Sequence, residues 1–203
     1  MLLAIADPPY LGQARRYPEH PEAAVWDDPQ THLDLLARLE EEYEAWVLAC
    51  NTGMLRLLLP VASASVRVGV WAKTRAGGSR PNLRIGYAHE HVLWDTSRRR
   101  GLADMRRTDV LICAVTQRRG VVGAKPRQWT QWVLDLLGYD PGGDEVHDLY
   151  PGSGDVSAAI ADYRTGCAWC TRPMEGRRDR QFCSDKCRVA AHRARSRAHT
   201  DCG

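Results

Sequence analysis

Apolar and polar positions along the chain follow two periods, that of strands and that of helices. Continuous apolar runs at 2–6 and 45–50 are typical of strands buried on both faces of a sheet. Valines alternate with other residues over 66–70, which also predicts a strand. Further strands are predicted at 91–94, 110–115 and 144–150. Helical patterns lie between several of these strands, so the sequence predicts an α/β fold with a layered sheet.

Four stretches have the apolar spacing of amphipathic helices. The first is predicted to begin at Thr31, which with Asp34 resembles a capping box. Asn51 is the predicted cap of a second helix, which Pro60 would end. Helices are also predicted over 129–137, ended by Gly138, and over 156–163.

Length and composition limit the number of domains and the cellular compartment that we expect. The 203 residues, 44% of them hydrophobic, suffice for one medium domain and a small appendage. No apolar run reaches the roughly 20 residues of a membrane span, and the first residues lack the basic segment of a signal peptide. We therefore expect a cytoplasmic protein with no membrane partner.

Charge is unevenly distributed along the chain. Residues 167–203 carry a net charge of +5, whereas the remaining residues carry a net charge of −2. A basic terminal segment is typical of a protein that contacts a polyanion, although a solvated, arginine-rich end is the simpler alternative. The predicted phosphate contacts are Arg177, Arg178, Arg180, Arg188, Arg193, Arg195 and Arg197.

Four cysteines cluster in this basic segment. Cys167 and Cys170 are separated by two residues, and Cys183 and Cys187 by three. Two such pairs can surround Zn²⁺ with four thiolates, and the second pair makes a redox-active Cys-x-x-Cys the weaker alternative. Residues 182–188 resemble the last turn and helix start of a treble-clef zinc finger. The chain therefore divides into a domain over 1–164 and a zinc-binding segment over 165–203.

A glycine turn follows the last predicted strand. Gly152, Ser153 and Gly154 stand between that strand and a helix, where free backbone N–H groups and the lack of side chains allow close approach to a ligand. In nucleotide-binding α/β folds the ligand lies at this place, beyond the carboxyl end of the strand.

A second turn, Asp7-Pro8-Pro9-Tyr10, follows the first strand. An exocyclic base amine is a poor nucleophile, because its lone pair is delocalised into the ring. Asp7 and a backbone carbonyl fixed by Pro8 and Pro9 can accept hydrogen bonds from this amine and free the lone pair. Tyr10 offers a ring face to a base that has left the duplex.

Together the two turns resemble the DNA amino-methyltransferases that use S-adenosylmethionine (SAM), in their permuted, catalytic-motif-first order. The resemblance implies a Rossmann-like sheet and methyl transfer to N6 of a flipped adenine in DNA, with Asp7, Pro8, Pro9 and Tyr10 as catalytic residues. It also implies a SAM site formed by Lys125, Pro126, Asp148, Tyr150, Gly152, Ser153 and Gly154. Without the resemblance, Lys125-Pro126 is only a turn before a helix.

The chain departs from this family after residue 164. The family continues with further strands, the first of which holds the SAM ribose, whereas Cys167 follows almost at once here. We therefore expect a shortened sheet. Two alternatives remain open: the same chemistry on RNA, and a non-catalytic zinc-finger protein that binds nucleic acid on a degenerate methyltransferase scaffold. Methylation at cytosine carbon is disfavoured, because no Pro-Cys pair supplies its nucleophile.

Overall fold

A computed structural model describes residues 1–17, 23–74, 86–98, 108–115, 124–164, 167, 169–170 and 182–200. Its strands are β1 (Leu2–Ala6), β2 (Ala45–Cys50), β3 (Arg67–Lys73), β4 (His89–Thr96), β5 (Val110–Cys113) and β6 (Glu145–Asp148). Its α-helices are α1 (Pro29–Glu42), α2 (Thr52–Leu58), α3 (Arg127–Leu137), α4 (Asp155–Arg164) and α5 (Asp185–Thr200). Two short 3₁₀ turns, Ala14–Arg16 and Ala23–Asp27, precede α1. The predicted α/β fold is confirmed.

The six strands form one mixed sheet in the order β5-β3-β4-β2-β1-β6. β1 lies parallel to both β2 and β6, and β3 lies parallel to β5. β4 runs antiparallel to β2 and β3. Five strands therefore point the same way, and their carboxyl ends share one edge of the sheet. Within the described ranges no strand lies beyond β6, which agrees with the shortened sheet that we expected.

Both faces of the central strands are buried, which explains their continuous apolar runs. In β1, Leu3 and Ile5 face a cluster that includes Trp129 and Val133 of α3. Ala4 and Ala6 face the opposite cluster, which α1 and α2 complete. The sheet is thus covered by helices on both sides, and its carboxyl edge is the place left for a ligand.

The predicted start of α1 is wrong by two residues. The helix begins at Pro29, and the Asp28 carboxylate accepts a hydrogen bond from Gln30 N at 2.9 Å. Proline suits the first helical position, because its missing N–H would have no partner there. The Thr31 hydroxyl instead donates to Val25 O at 2.9 Å, so it ties the preceding turn to the helix.

The other helix signals are confirmed. Asn51 Oδ1 accepts from Met54 N at 2.9 Å and caps α2. Gly138 ends α3 in the left-handed conformation, with φ of 70°. Its neighbour Tyr139 donates its N–H to Leu134 O at 3.0 Å, which closes the last turn of α3.

Candidate functional site

The two motif turns, far apart in the sequence, are neighbours in space. Asp7 directly follows β1, and Asp148 ends β6. Ile5 is paired with Asp148 across the two strands, and Leu149 N donates to Ile5 O at 3.0 Å. Because β1 and β6 are parallel, both turns leave the sheet at the same edge. The Asp7 turn and the glycine turn therefore lie side by side.

Lys125 connects α3 to the Asp7 turn. Its Nζ lies 2.7 Å from Asp7 Oδ1 and 3.2 Å from the Tyr10 hydroxyl. It also lies 5.3 Å from the centre of the Tyr10 ring and 5.4 Å from that of Trp129, within cation–π range. The ammonium therefore touches the same carboxylate that the sequence assigned to the amine of a base.

Glu90 and Lys73 complete this cluster, and sequence reasoning missed both. Glu90 Oε2 accepts a hydrogen bond from the Tyr10 hydroxyl at 2.9 Å and lies 3.6 Å from Lys125 Nζ. Glu90 Oε1 forms an ion pair with Lys73. The available signal was a charged residue at the end of one strand and another at the start of the next, since Lys73 ends β3 and Glu90 lies at the start of β4.

Burial shifts the ionisation of these groups. Burial raises the pKa of Asp7 above its usual range, and the ion pair with Lys125 opposes that shift without cancelling it. Burial alone would raise the pKa of Glu90, but Lys125 and Lys73 hold that pKa below its usual value. Burial opposes the charge of Lys125 too, yet Asp7 and Glu90 raise its pKa. Burial and the adjacent Glu90 raise the pKa of Tyr10 well above its usual value. At neutral pH the Tyr10 hydroxyl is thus a donor, as its bond to Glu90 requires.

Pro126 serves as the N-cap of α3, and its carbonyl accepts from Trp129 N at 2.8 Å. The turn before a helix, one of the two interpretations of Lys125-Pro126, is therefore present. Contact of Lys125 and Pro126 with the methionine part of SAM stays a prediction.

The glycine turn has the backbone that its sequence requires. Gly152 and Gly154 have φ values of 44° and 77°, a region that side chains disfavour. Gly154 N donates to Pro151 O at 2.6 Å, and Ala158 N donates to Gly154 O at 2.9 Å, so α4 starts directly from the turn. The Ser153 hydroxyl donates to Asp155 at 2.8 Å.

The remaining predicted SAM residues have partners on both sides of β6. Asp148 accepts from the Ser157 hydroxyl of α4 at 2.7 Å. The Tyr150 ring lies edge-on to Trp26, with 5.1 Å between ring centres. This contact joins the 3₁₀ turn before α1 to the glycine turn, and it adds an aromatic residue that the sequence did not point to.

The cysteine cluster is brought together as predicted. The Sγ atoms of Cys167, Cys170, Cys183 and Cys187 all lie within 4.8 Å of one another. Cys183 Sγ is 3.4 Å from Cys170 Sγ and 3.5 Å from Cys187 Sγ. A tetrahedral zinc site with Zn–S bonds of about 2.3 Å separates its sulfurs by about 3.8 Å, so this donor set fits zinc.

Backbone groups also favour the thiolate form of Cys167. Burial opposes the ionisation of Cys167, but N–H groups of Cys170, Cys183 and Trp169 lower its pKa to about 6. Cys183 lies two residues before α5 and Cys187 lies in its first turn, where Ser184 Oγ accepts from Cys187 N at 3.3 Å. The four thiolates could thus hold a zinc ion that joins the start of α5 to the preceding segment.

Four of the predicted phosphate-binding arginines lie on α5. Arg188 and Arg193 are exposed, and Arg188 forms a surface ion pair with Asp185 at 3.1 Å. Arg195 and Arg197 lie further along the same helix. Arg177, Arg178 and Arg180 lie outside the described residues.

The sheet and its flanking helices give the chain the fold of a SAM methyltransferase. The "crystal structure of M1.HpyAVI-SAM complex" matches with a TM-score of 0.51 and 15% sequence identity, over 94% of this chain and 86% of that one. The "crystal structure of M1.HpyAVI" matches with a TM-score of 0.49 and 15% identity, over 80% and 76% of the two chains. No family model and no curated protein matches the sequence. In the described part of the chain no helix is long and apolar enough to cross a membrane.

Proposed function

We propose that this protein transfers a methyl group from SAM to N6 of adenine in DNA, with the target base flipped out of the duplex. One observation carries the proposal: the Asp7 turn and the glycine turn leave adjacent parallel strands at the same edge of the sheet. The matching structure was solved with SAM, which makes SAM the first cofactor to test.

In the proposed reaction SAM supplies a methyl group on a sulfonium. The amine nitrogen forms the new N–C bond while the S–C bond breaks, and the bonding electrons stay on sulfur as a thioether. Asp7 and a carbonyl of the Pro8-Pro9 turn accept hydrogen bonds from the amine, and after methyl transfer the surplus proton passes from the nitrogen to water. Catalysis by the chain is mainly positioning, since these acceptors hold the amine in line with the methyl group.

The ion pair of Lys125 with Asp7 has to be compatible with the proposed role of Asp7 as the acceptor for the amine. Asp7 Oδ1 already accepts a hydrogen bond from the Lys125 ammonium at 2.7 Å. Asp7 has a second carboxylate oxygen, and a carboxylate offers about four lone-pair sites. Asp7 can therefore accept from the amine and from Lys125 together, and Lys125 favours the ionised form of the buried carboxylate.

The SAM site proposed here is formed by the turn of Gly152 and Gly154 and the adjacent Asp148 and Tyr150. Both glycines expose backbone to the carboxyl edge, and α4 presents its N-terminus there. Lys125-Pro126 would lie beside the methionine part. Trp26, in contact with Tyr150, would form a further apolar wall of this site.

The zinc-binding segment would hold the nucleic acid. A structural zinc on its four cysteines would fix the start of α5, whose exposed Arg188 and Arg193 can contact phosphates. A variant lacking residues 165–203 should bind DNA more weakly and with a shallower salt dependence. Unchanged affinity and salt slope would contradict this role.

The direct test uses purified protein, tritium-labelled SAM and unmethylated double-stranded DNA or RNA. Wild type should label DNA, and the Asp7→Ala variant should lose at least about 100-fold in rate, because the amine loses its main acceptor. Asp34→Ala, on the exposed side of α1, is the matched control and should keep full activity. If RNA were labelled and DNA were not, the substrate would be RNA, which is the alternative stated above.

A second candidate is a non-catalytic nucleic-acid-binding protein on a methyltransferase scaffold. The position of β6 at the sheet edge favours it, because the strand that holds the SAM ribose in the family is not found among the described residues. Calorimetric titration with SAM separates the two candidates. If wild type binds SAM and the Gly154→Val variant does not, the result supports the enzyme. If wild type gives no heat of binding at millimolar SAM, with or without DNA, the result supports the non-catalytic protein.

A further inference from the structure

The carboxylate of Glu90 has no role in the reaction as described so far, yet it contacts three side chains of the cluster around Lys125. Its Oε2 accepts from the Tyr10 hydroxyl at 2.9 Å and lies 3.6 Å from Lys125 Nζ. Its Oε1 pairs with Lys73. The Glu90 side chain is 21% exposed and that of Lys125 only 4%. A largely buried carboxylate that is paired with specific charged and polar groups is a candidate functional residue.

We propose that Glu90 is a positioning residue for the methyl transfer, which fixes the Tyr10 ring and restrains the Lys125 ammonium beside Asp7. This inference rests on the function proposed above. Glu90 need not touch the base, because it acts on two groups that do: the ring that would stack on the base and the ion pair that would accept its amine.

The Tyr10 ring needs such a restraint because it lies on an irregular turn. The hydroxyl takes part in two polar contacts, accepting from Lys125 at 3.2 Å and donating to Glu90 at 2.9 Å. Together they fix the hydroxyl end of the ring before a base arrives, so binding the base requires less ordering of this side chain.

Lys125 is shared between two carboxylates, and this sharing controls how tightly it holds Asp7. The cluster contains two carboxylates, Asp7 and Glu90, and two ammonium groups, Lys73 and Lys125, so it is neutral overall. Without the charge of Glu90, Lys125 would have Asp7 as its only carboxylate partner within the cluster. The stronger ion pair would compete with the target amine for the Asp7 oxygens.

The anchoring of Glu90 comes from strands rather than loops. Glu90 pairs with Trp71 across β3 and β4, and Lys73 ends β3. The Lys73 ammonium is also 4.9 Å from the centre of the Trp71 ring. A carboxylate anchored in this way can transmit the rigidity of the sheet to a turn.

The experiment compares steady-state kinetics of wild type, Glu90→Gln, Tyr10→Phe and the double variant, with labelled SAM and unmethylated DNA. Glutamine keeps the size of the side chain but removes its charge, and its neutral amide oxygen accepts more weakly from Tyr10 than a carboxylate does. We expect Glu90→Gln to lower kcat by about 10- to 100-fold with KM for SAM changed less than about threefold. In the Tyr10→Phe background the same substitution should cost less, because part of its effect passes through Tyr10.

Controls separate the outcomes. Glu42→Gln, an exposed surface residue of α1, should match wild type. Far-UV circular dichroism and SAM affinity show whether Glu90→Gln is folded. An active, Asp7-dependent wild type with an equally active Glu90→Gln variant would overturn the role of Glu90 alone. Strict additivity of the two substitutions would overturn the action through Tyr10. The absence of any Asp7-dependent transfer by wild type would overturn the proposed function and this inference together.

Discussion

The Lys125 ammonium lies 2.7 Å from the Asp7 carboxylate, although 118 positions separate the two residues. This ion pair joins the turn after β1 to the start of α3 and is almost wholly buried on the lysine side. It gives the acid that begins the Asp7 turn a fixed partner, and it makes that turn part of a larger charge cluster.

Replacing Lys125 by methionine should destabilise the fold and abolish methyl transfer. The change leaves Asp7 as a buried carboxylate without its partner, at a cost of about 3–5 kcal/mol in the free energy of unfolding at pH 7. Because burial already raises the pKa of Asp7 and Lys125 opposes that shift, the pKa should rise further in the variant. The deficit should therefore shrink as the pH falls and Asp7 becomes protonated.

Urea unfolding between pH 4 and pH 8 measures this dependence. Lys186→Met, at an exposed position in the first turn of α5, is the control and should stay within about 0.5 kcal/mol of wild type. A deficit that is the same at every pH would show that lost packing, and not the unpaired carboxylate, accounts for the effect.

Asp144 should make the protein sensitive to acid. Its carboxylate accepts from Arg98 at 2.8 Å and from Asp140 N at 2.6 Å. Burial opposes its charge, but these bonds and that from the N-terminal ammonium lower its pKa. A lowered folded-state pKa contributes stability above the unfolded-state pKa, and this stability is lost as the pH falls through the folded-state value.

The Asp144→Asn variant should accordingly be less stable by about 2 kcal/mol at pH 7, and this difference should vanish at low pH. Thermal melts of wild type and of the Asp144→Asn variant, from pH 7 down to low pH, measure this difference in stability. Asp34→Asn on α1 serves as the control. A difference that persists undiminished at the acid end would contradict the role assigned to the charge of Asp144.

Much of the fold could be predicted from the sequence, because its strands and helices carry their own local signals. The apolar run of β1, the Asn51 cap and the Gly138 stop all correspond to structure. The start of α1 could not be fixed in the same way, because Asp28 and Thr31 both suit an N-cap. The structure decides between them, because the helix begins at Pro29 and the Asp28 carboxylate accepts from Gln30 N.

The candidate site was predictable only in part. The Asp7 and glycine turns have residue types that their chemistry explains, and their strands bring them together. Glu90 and Lys73 belong to no such motif. They meet only because β3 and β4 pair in antiparallel register, which brings the end of β3 beside the start of β4. The partner of Lys125 was equally hidden, since an ion pair across 118 positions leaves no local pattern.

Gly69 should not tolerate a side chain. A Cβ at this position would lie 2.9 Å from Val92 Cγ2 and 3.0 Å from two atoms of the Trp132 ring. Both neighbours are buried, so neither can move freely. We expect Gly69→Ala to cost about 1–3 kcal/mol in urea unfolding. A variant as stable as wild type would mean that α3 packs less closely on β3 than described.

The cysteine cluster should contain one zinc ion per chain. Elemental analysis of purified wild type should give a ratio near one, and Cys183→Ser should lose the metal, because three thiolates and a hydroxyl bind zinc poorly. Cys113→Ser, at the end of β5, should retain it. Full zinc content in the Cys183→Ser protein would exclude the four-thiolate site.

The central claim is that Asp7 enables methylation of an adenine amine. Cells that lack their own adenine methylation would express wild type or Asp7→Ala at equal levels, and mass spectrometry would quantify modified nucleosides in their DNA and RNA. The account predicts N6-methyladenine in DNA from cells with wild type and none above background with Asp7→Ala. Equal amounts of every methylated nucleoside in the two cultures would contradict it.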